Sequence, residues 1–247
     1  MSLLAIIGGT GLSQLSDLKI LEHKTVDTPF GEPSAAYVVG EYQSKTVIFL
    51  ARHGNPHTIT PHKINYRANI WGLKHLGVTD IIAIAAVGGI TAEMQPARIA
   101  IPHQLIDYSY GRKHTFFDED LKKVTHIDFT QPYSESLRQQ LLNAAKQTEI
   151  NAYDGGVYGC TQGPRLETAA EIKRMENDGC DLVGMTGMPE ASLARELQLN
   201  YANCSVVANW GAGKIAGEIT MADIEKNLQQ GMADASLLLT QFMRDFE

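Results

Sequence analysis

The longest apolar run of this 247-residue chain, IIAIAAVGGI at residues 81–90, constrains its fold more than any other feature. It is far below the roughly 18 apolar residues that a membrane-spanning helix needs. Continuously apolar runs of this kind, as opposed to alternating ones, are typical of strands in a sheet that is covered on both faces. Similar short runs are LLAIIG, AYVVGEY, KTVIFLAR, RIAIPHQLI, LVGM and YANCSVVAN. We therefore expect a buried central sheet and no membrane partner.

Helical patterns stand between and after these runs. The segments that carry them are HKINYRANIWGLKHLG, SESLRQQLLNAAKQ, ETAAEIKRMENDG and PEASLARELQL. A last helix is predicted after Thr220, because Asp223 follows three residues later as in a capping box and apolar residues then recur at helical spacing. Strands interleaved with helices, without a linker-like segment, predict one three-layer αβα domain over residues 1–247.

Charge and cysteine content narrow the functional classes. The formal net charge of −7 argues against a nucleic-acid partner, because binding to a phosphate backbone requires a basic face. Cys160, Cys180 and Cys204 are widely spaced and form no C-x-x-C pair, which indicates neither a disulfide framework nor a zinc site. The N-terminal residues lack a basic segment and are interpreted as a first strand. We expect a cytoplasmic protein.

Two segments are candidates for phosphate binding. IIGGTGL at residues 6–12 follows a strand, where backbone N–H groups of a glycine-rich turn can face an anion, although a plain tight turn is the alternative. LARHGNPHTITPHKINYRANI at residues 50–70 places Arg52 and His53 after another strand, and the planar guanidinium suits phosphate oxygens. A solvated loop stays open as the alternative. The histidine spacings, without accompanying carboxylates, do not indicate a metal site.

Six motifs in order resemble the trimeric purine nucleoside phosphorylase and methylthioadenosine phosphorylase family. They are IIGGTGL, DTPFGEPS, LARHGNPHTITPHKINYRANIW, AAVGGI, GPRLETAAEI and VGMTGMPEA. The resemblance runs from about Ala5 to Asn209 and continues into the last helix. It implies an α/β fold with a central mixed sheet, a homotrimer, and inorganic phosphate as co-substrate without a metal or an organic cofactor.

The resemblance also assigns the phosphate and sugar sites. The phosphate-binding residues that it implies are Thr10, Arg52, His53, Ala86 and Thr186. Ala86 can offer only its backbone. Met185 is expected at the ribose, and His126 is expected to close the 5′ end of the sugar in a neighbouring subunit. Leu166 stands where the family has an aromatic residue that stacks on the base, which weakens packing on the base without changing how its edge is recognised.

The base is expected between Glu167 and Asn209, because the family directs these two positions at the purine edge. An ionised Glu167 accepts from N1–H of a 6-oxopurine, while the amide of Asn209 donates to O6 and accepts from a protonated N7. Adenine presents the opposite donor and acceptor order at this edge. The methylthioadenosine enzymes carry two aspartates in this region, where this chain has Asn209 and Gly211.

The 5′ end of the sugar is expected to be apolar. The purine nucleoside phosphorylases place a histidine early in the last helix for the 5′-hydroxyl, but this chain has no histidine after His126. Met221 and Ile224 occupy that region, and a thioether beside a branched side chain suits a methylthio group. Met221 also fits the core stripe of the helix. The combination predicts a 5′-methylthio sugar carrying a 6-oxopurine, which is 5′-methylthioinosine.

The predicted reaction is phosphorolysis of the N-glycosidic bond, with Asn209 stabilising the negative charge that develops on the departing purine. Two sibling activities stay open: phosphorolysis of 5′-methylthioadenosine and phosphorolysis of inosine or guanosine. A purine nucleoside-binding protein without turnover is a further alternative, since a phosphate site and a purine site together define a binder.

Overall fold

The apolar runs form the strands of one large sheet. The computed structural model describes residues 2–9, 18–119, 121 and 123–246. The strands are β1 (Leu4–Gly8), β2 (Lys19–Lys24), β3 (Tyr37–Tyr42), β4 (Lys45–Ala51), β5 (Asp80–Gly89), β6 (Ile99–Ile101), β7 (Gln104–Asp107), β8 (Tyr153–Asp154), β9 (Val157–Cys160), β10 (Leu182–Gly184) and β11 (Asn200–Trp210). The helices are α1 (Tyr66–His75), α2 (Glu135–Gln147), α3 (Ala169–Asn177), α4 (Gly187–Glu196) and α5 (Met221–Asp245).

All seven predicted runs contain a strand, with one difference in RIAIPHQLI. This run is divided between β6 and β7 by Pro102 and His103. Proline has no backbone N–H, so it cannot continue a hydrogen-bonded ladder. Three strands were not predicted. For β2 the reason is that its sequence KILEHK has no continuous apolar run, and almost all of it is exposed at the edge of the sheet.

Four of the five helices named above, all except α4, begin where the sequence supplies a capping side chain. Ser134 accepts a hydrogen bond from the backbone N–H of Leu137, and Thr220 accepts one from that of Asp223. Thr168 and Glu171 form a complete capping box at the start of α3. Such caps satisfy N–H groups that lack an intrahelical partner. The five predicted helices are therefore confirmed.

The sheet is mixed, and its centre is parallel. Strand β1 pairs in parallel with β4 and β5, and β5 pairs in parallel with β11 along ten registered positions from Asn200↔Asp80 to Trp210↔Gly89. The end of β5 pairs with β10 in antiparallel orientation, β10 pairs in parallel with β9, and β9 pairs in parallel with β7. The carboxyl ends of β1, β4, β5 and β11 therefore lie at the same edge, where ligands bind in open α/β sheets.

Helices cover both faces of the sheet. Side chains alternate along β1: Ala5 and Ile7 join the buried cluster that includes α1 and α4, whereas Leu4 and Ile6 join the cluster that includes α2 and α5. Helix α3 packs on a smaller cluster around Ile90. The predicted three-layer αβα fold with a central mixed sheet is confirmed. Among the described residues, no helix is both long enough and apolar enough to cross a membrane.

Candidate active site

A cavity of about 560 Å³ lies at the carboxyl edge of the parallel strands, against α5. Gly9 follows β1 and Arg52 follows β4, while Gly88 and Asn209 lie near the ends of β5 and β11. The remaining wall comes from the loops that follow β4, β9, β10 and β11 and from α5. The cavity is therefore built from segments that are far apart in the sequence.

Nine of the twelve predicted site residues line this cavity. They are Arg52, His53, Ala86, Leu166, Glu167, Met185, Thr186, Asn209 and Ile224. Thr10 lies outside the described residues. His126 is exposed and does not line the cavity of its own chain. Met221 does not line it either: it is the first residue of α5 and 65% exposed, because the first turn places its side chain outside the wall that Ile224 joins.

Arg52 is held by a buried carboxylate that the sequence analysis did not find. Nε and Nη2 of Arg52 donate to the two carboxylate oxygens of Glu190, each at 2.7 Å, and Nη1 donates to the carbonyl of Ile84 at 2.9 Å. Both side chains of the ion pair are buried. Burial opposes the charge of Arg52, but the charge and hydrogen bonds of Glu190 outweigh it and raise the pKa of Arg52. Of the five N–H groups, one on Nη1 and one on Nη2 remain for a ligand.

His53 is a neutral side chain beside this guanidinium. Burial and then the positive charge of Arg52 lower the pKa of His53 to about 4. Nδ1 lies 2.8 Å from the carbonyl of Ile59, and the ring stacks on that of His57 with 4.3 Å between the ring centroids. A neutral ring that donates from Nδ1 to a carbonyl presents Nε2 as an acceptor. His53 can therefore accept a hydrogen bond from the hydroxyl of a monoprotonated phosphate.

Glu167 and Asn209, the two residues predicted to recognise the base, line the same cavity, and the side chain of each has a hydrogen-bond partner in the protein. Oγ1 of Thr161 donates to Oε1 of Glu167 at 2.6 Å. Nδ2 of Asn209 donates to the carbonyl of Trp210 at 2.7 Å, which leaves one N–H and the amide oxygen for a ligand. Carboxylate and amide thus each keep an unused acceptor, and the amide keeps a donor.

The opposite end of the cavity is apolar. Ile219 precedes α5, Ile224 lies at its start, and Leu228 and Met232 follow on the same face of that helix. The spacing of four residues between Ile224, Leu228 and Met232 directs their side chains to one side. This wall suits an alkylthio group better than a hydroxyl, whose burial without a partner costs about 1–3 kcal/mol.

The comparisons with known proteins agree with this geometry. The sequence profile of the phosphorylase superfamily matches residues 3–244. The chain belongs to the phosphorylase superfamily. This phosphorylase is 54% identical, over 98% of its length and 99% of the relative's, to a protein of Pseudomonas syringae pv. tomato named probable S-methyl-5′-thioinosine phosphorylase. It is 43% identical, over 97% of its length and 91% of the relative's, to the 6-oxopurine nucleoside phosphorylase of Pyrococcus furiosus.

Solved structures support the same assignment. The methylthioadenosine phosphorylase of Schistosoma mansoni in complex with adenine superimposes with a TM-score of 0.93 at 31% identity, over 99% of this phosphorylase and 91% of that chain. A methylthioadenosine phosphorylase from an Antarctic soil metagenomic library gives a TM-score of 0.92 at 34% identity, over 98% and 85% of the two chains. The family predicted from the six motifs is therefore confirmed.

Arg112 connects two loops of the phosphorylase and was not predicted from the sequence. The buried guanidinium donates from Nη2 to the carbonyls of Thr161 and Gln162 at 3.0 and 2.9 Å. It donates from Nη1 to the carbonyl of Met185 at 2.9 Å. Arg112 therefore joins the loop that leads to Glu167 to the loop that carries Met185. No motif marks it, because most of its acceptors are backbone carbonyls that lie about 50 to 70 residues away in the sequence.

The two loops also approach each other directly. Gly163 has a φ of 62°, and a Cβ at this position would lie 2.5 Å from Sδ of Met185. Only glycine adopts such a conformation at low cost and leaves room for the thioether. The described residues contain no group of three or more His, Cys, Asp or Glu side chains that is placed to hold a metal ion.

Proposed function

We propose that this phosphorylase cleaves 5′-methylthioinosine with inorganic phosphate to give hypoxanthine and 5-methylthioribose 1-phosphate. One observation carries the proposal: Glu167 and Asn209 line the same cavity as the apolar wall of Ile224, Leu228 and Met232. The first pair suits a 6-oxopurine edge, and the wall suits a methylthio group. The relatives named for S-methyl-5′-thioinosine or 6-oxopurine nucleosides, at 43–54% identity, support the same substrate class.

The base would be selected by its pattern of donors and acceptors. The carboxylate of Glu167 accepts from N1–H, and the amide of Asn209 donates its free N–H to O6 and accepts from a protonated N7. With adenine, an acceptor would face an acceptor at N1. Sites that depend on such pairs reject the wrong partner by roughly 10⁴-fold or more, because buried groups are left unpaired.

The reaction would proceed through an oxocarbenium-like transition state. The bond between the anomeric carbon and N9 breaks, its electron pair moves onto the purine, and a phosphate oxygen forms the new bond to the anomeric carbon. Asn209 would stabilise the departing purine at N7. Arg52, His53 and Thr186 would orient phosphate next to the anomeric carbon, so that the two reactants no longer have to meet by diffusion.

The decisive experiment compares kcat/KM for methylthioinosine, methylthioadenosine and inosine, with and without phosphate. We expect phosphate-dependent release of hypoxanthine and the highest value for methylthioinosine. Equal cleavage without phosphate would indicate a hydrolase and contradict the proposal. Inosine is the second candidate, favoured by the relative named 6-oxopurine nucleoside phosphorylase. Binding without turnover of any of the three would favour a nucleoside-binding protein.

The remaining expectations are part of the same proposal. We take residues 1–247 as one domain, supported by the single sheet to which all described strands belong. We propose a homotrimer in which His126 of a neighbour approaches the sugar, supported by its exposed position away from its own cavity. Light scattering of the purified protein tests the trimer. The cytoplasmic location is supported by three unpaired cysteines. Retained activity after dialysis against a chelator would support catalysis without a metal.

A further inference from the structure

Thr161 occupies a fixed position behind the base-reading carboxylate. It directly follows β9, which pairs in parallel with β10 through Cys160↔Gly184. The backbone N–H of Thr161 extends this ladder by donating to the carbonyl of Gly184 at 2.8 Å. The side chain is buried and does not line the active-site cavity, but it lines a neighbouring cavity of about 410 Å³ whose wall Glu167 also joins. Its hydroxyl can therefore affect a substrate in the active-site cavity through the carboxylate of Glu167, which it contacts.

The hydroxyl of Thr161 has one proton and two acceptors within reach. Oε1 of Glu167 lies at 2.6 Å, and the carbonyl oxygen of Gly184 lies at 3.3 Å. The short distance is typical of a hydroxyl that donates to a carboxylate, whereas the longer one is at the limit for this bond type. The carbonyl of Gly184 already accepts the backbone N–H of Thr161. The proton therefore belongs to the bond with Glu167.

Arg112 fixes this donor from the other side. Its Nη2 donates to the carbonyls of Thr161 and Gln162, and its Nη1 donates to the carbonyl of Met185 on the facing loop. The hydroxyl of Thr161 is thereby held relative to both walls of the cavity. A donor fixed in this way can set the orientation of the carboxylate, which an exposed and mobile hydroxyl could not do.

We propose that Thr161 is a positioning residue for purine selectivity. By donating to Oε1 it fixes the carboxylate of Glu167, and Oε2, which has no partner among the described side chains, is left to accept N1–H of a 6-oxopurine. The inference rests on the proposed function. Without the hydroxyl, the carboxylate rotates and bonds water, and N1–H must then compete with solvent. Adenine has no N1–H and loses nothing comparable, so the loss falls on the 6-oxopurine substrate.

The test compares Thr161→Val, which keeps the shape and removes the hydroxyl, with Thr161→Ser, which keeps the hydroxyl. Kinetics are measured with methylthioinosine and methylthioadenosine at saturating phosphate. We expect Thr161→Val to lower kcat/KM for methylthioinosine by about tenfold to a hundredfold, as for the loss of one hydrogen bond to a charged group. The ratio between the two substrates should fall by a similar factor. Thr161→Ser should restore both values to within about threefold of wild type.

Two controls separate positioning from general damage. Thr148→Val removes a hydroxyl that donates to the carbonyl of Ala144 at the end of α2, and it should leave the ratio unchanged. A double-mutant cycle with Glu167→Ala measures the coupling directly. In the Glu167→Ala background, the Thr161→Val change should lower kcat/KM by less than about twofold.

Equal losses for both substrates, a failure of serine to restore the ratio, or an undiminished effect of Thr161→Val in the Glu167→Ala background would each overturn the inference. The wild-type kinetics decide the proposed function separately. If wild type prefers another purine nucleoside, the proposed function fails. The double-mutant cycle on that preferred substrate still decides whether Thr161 acts through Glu167.

Discussion

Glu190→Gln tests the buried ion pair beneath the predicted phosphate site. Glu190 is fully buried and accepts from Nε and Nη2 of Arg52 and from the hydroxyl of Tyr201, at 2.7, 2.7 and 2.9 Å. The substitution keeps the size of the side chain but removes its charge. It also replaces one acceptor oxygen by an amide donor that faces an N–H or O–H donor. Arg52, which is 2% exposed, would be left as a buried cation without a counter-charge.

The expected loss of stability follows from this geometry. Removing one partner of a buried ion pair costs about 3–5 kcal/mol, because the remaining charge stays desolvated. For a chain of this size, 1 kcal/mol corresponds to about 2–4 °C in Tm, so we expect a fall of about 6–20 °C. The KM for phosphate should also rise, because the two free N–H groups of Arg52 lose their fixed orientation. The KM for the nucleoside should change less.

The assay is thermal unfolding followed by circular dichroism, at one protein concentration because oligomerisation shifts Tm. Glu22→Gln is the matched control, since Glu22 pairs with Lys24 at 3.0 Å in an exposed pair whose side chains are 51% and 43% accessible. Such pairs contribute about 0–1 kcal/mol, so this variant should melt within about 4 °C of wild type. If Glu190→Gln also melts within that range, the ion pair does not have the role described.

Three further outcomes are expected. Ile224→Ser should raise the KM for methylthioinosine about tenfold and reduce the preference of the enzyme for methylthioinosine over inosine. Met221→Ser, at the exposed first residue of α5, should change this KM by less than about twofold. Equal effects of the two substitutions would contradict the assigned wall. Asn209→Asp should lower the ratio of kcat/KM between methylthioinosine and methylthioadenosine by at least about tenfold, and an unchanged ratio would mean that the base lies elsewhere. The pKa of His53 falls from 6.5 to about 4 on folding. Above pH 6.5, His53 is therefore neutral in both the folded and the unfolded state. Between pH 6.5 and pH 4, only the unfolded state binds the proton. Stability is therefore lost as the pH falls through this window, and the Tm of wild type minus that of His53→Asn should decrease between pH 7 and pH 4.5; a constant difference would contradict the low pKa of His53.

The fold was predictable from the sequence because its signals are local. Continuous apolar runs indicated the covered strands, and the capping box of Thr220 and Asp223 marked the start of the last helix. The edge strand β2 escaped because its residues face solvent and carry no apolar pattern. The break at Pro102 was visible as a residue type, but its consequence depends on whether the chain has to change strand partners there.

The site was predictable only where a motif carried it. Glu167 and Asn209 were found through family resemblance, and the structure brings both to the cavity. The residue that holds Arg52 was not found, because a single polar residue has no periodicity and its partner is distant in the sequence: Glu190 lies 138 residues from Arg52. Met221 fits the helical stripe as well as Ile224 does. The sequence pattern cannot show which residues of this apolar stripe face the cavity, and in the structure Ile224 does whereas Met221 does not.

Asn209 reaches the cavity because β11 contains a bulge. Val207 pairs with Val87, but Asn209 pairs with Gly88, so the register shifts by one residue at Ala208. Paired residues of a parallel sheet lie on the same face, and successive residues of a strand alternate between the two faces. Without the bulge, Asn209 would therefore lie on the same face as Val207, towards α1 and α4. The bulge turns it to the opposite face, which α5 covers. Nδ2 of Asn227 in α5 donates to the carbonyl of Ala208 at 2.9 Å and so ties the bulge to this helix. The amide proposed to recognise the base and the apolar wall proposed to receive the sugar substituent are therefore joined by one contact between β11 and α5.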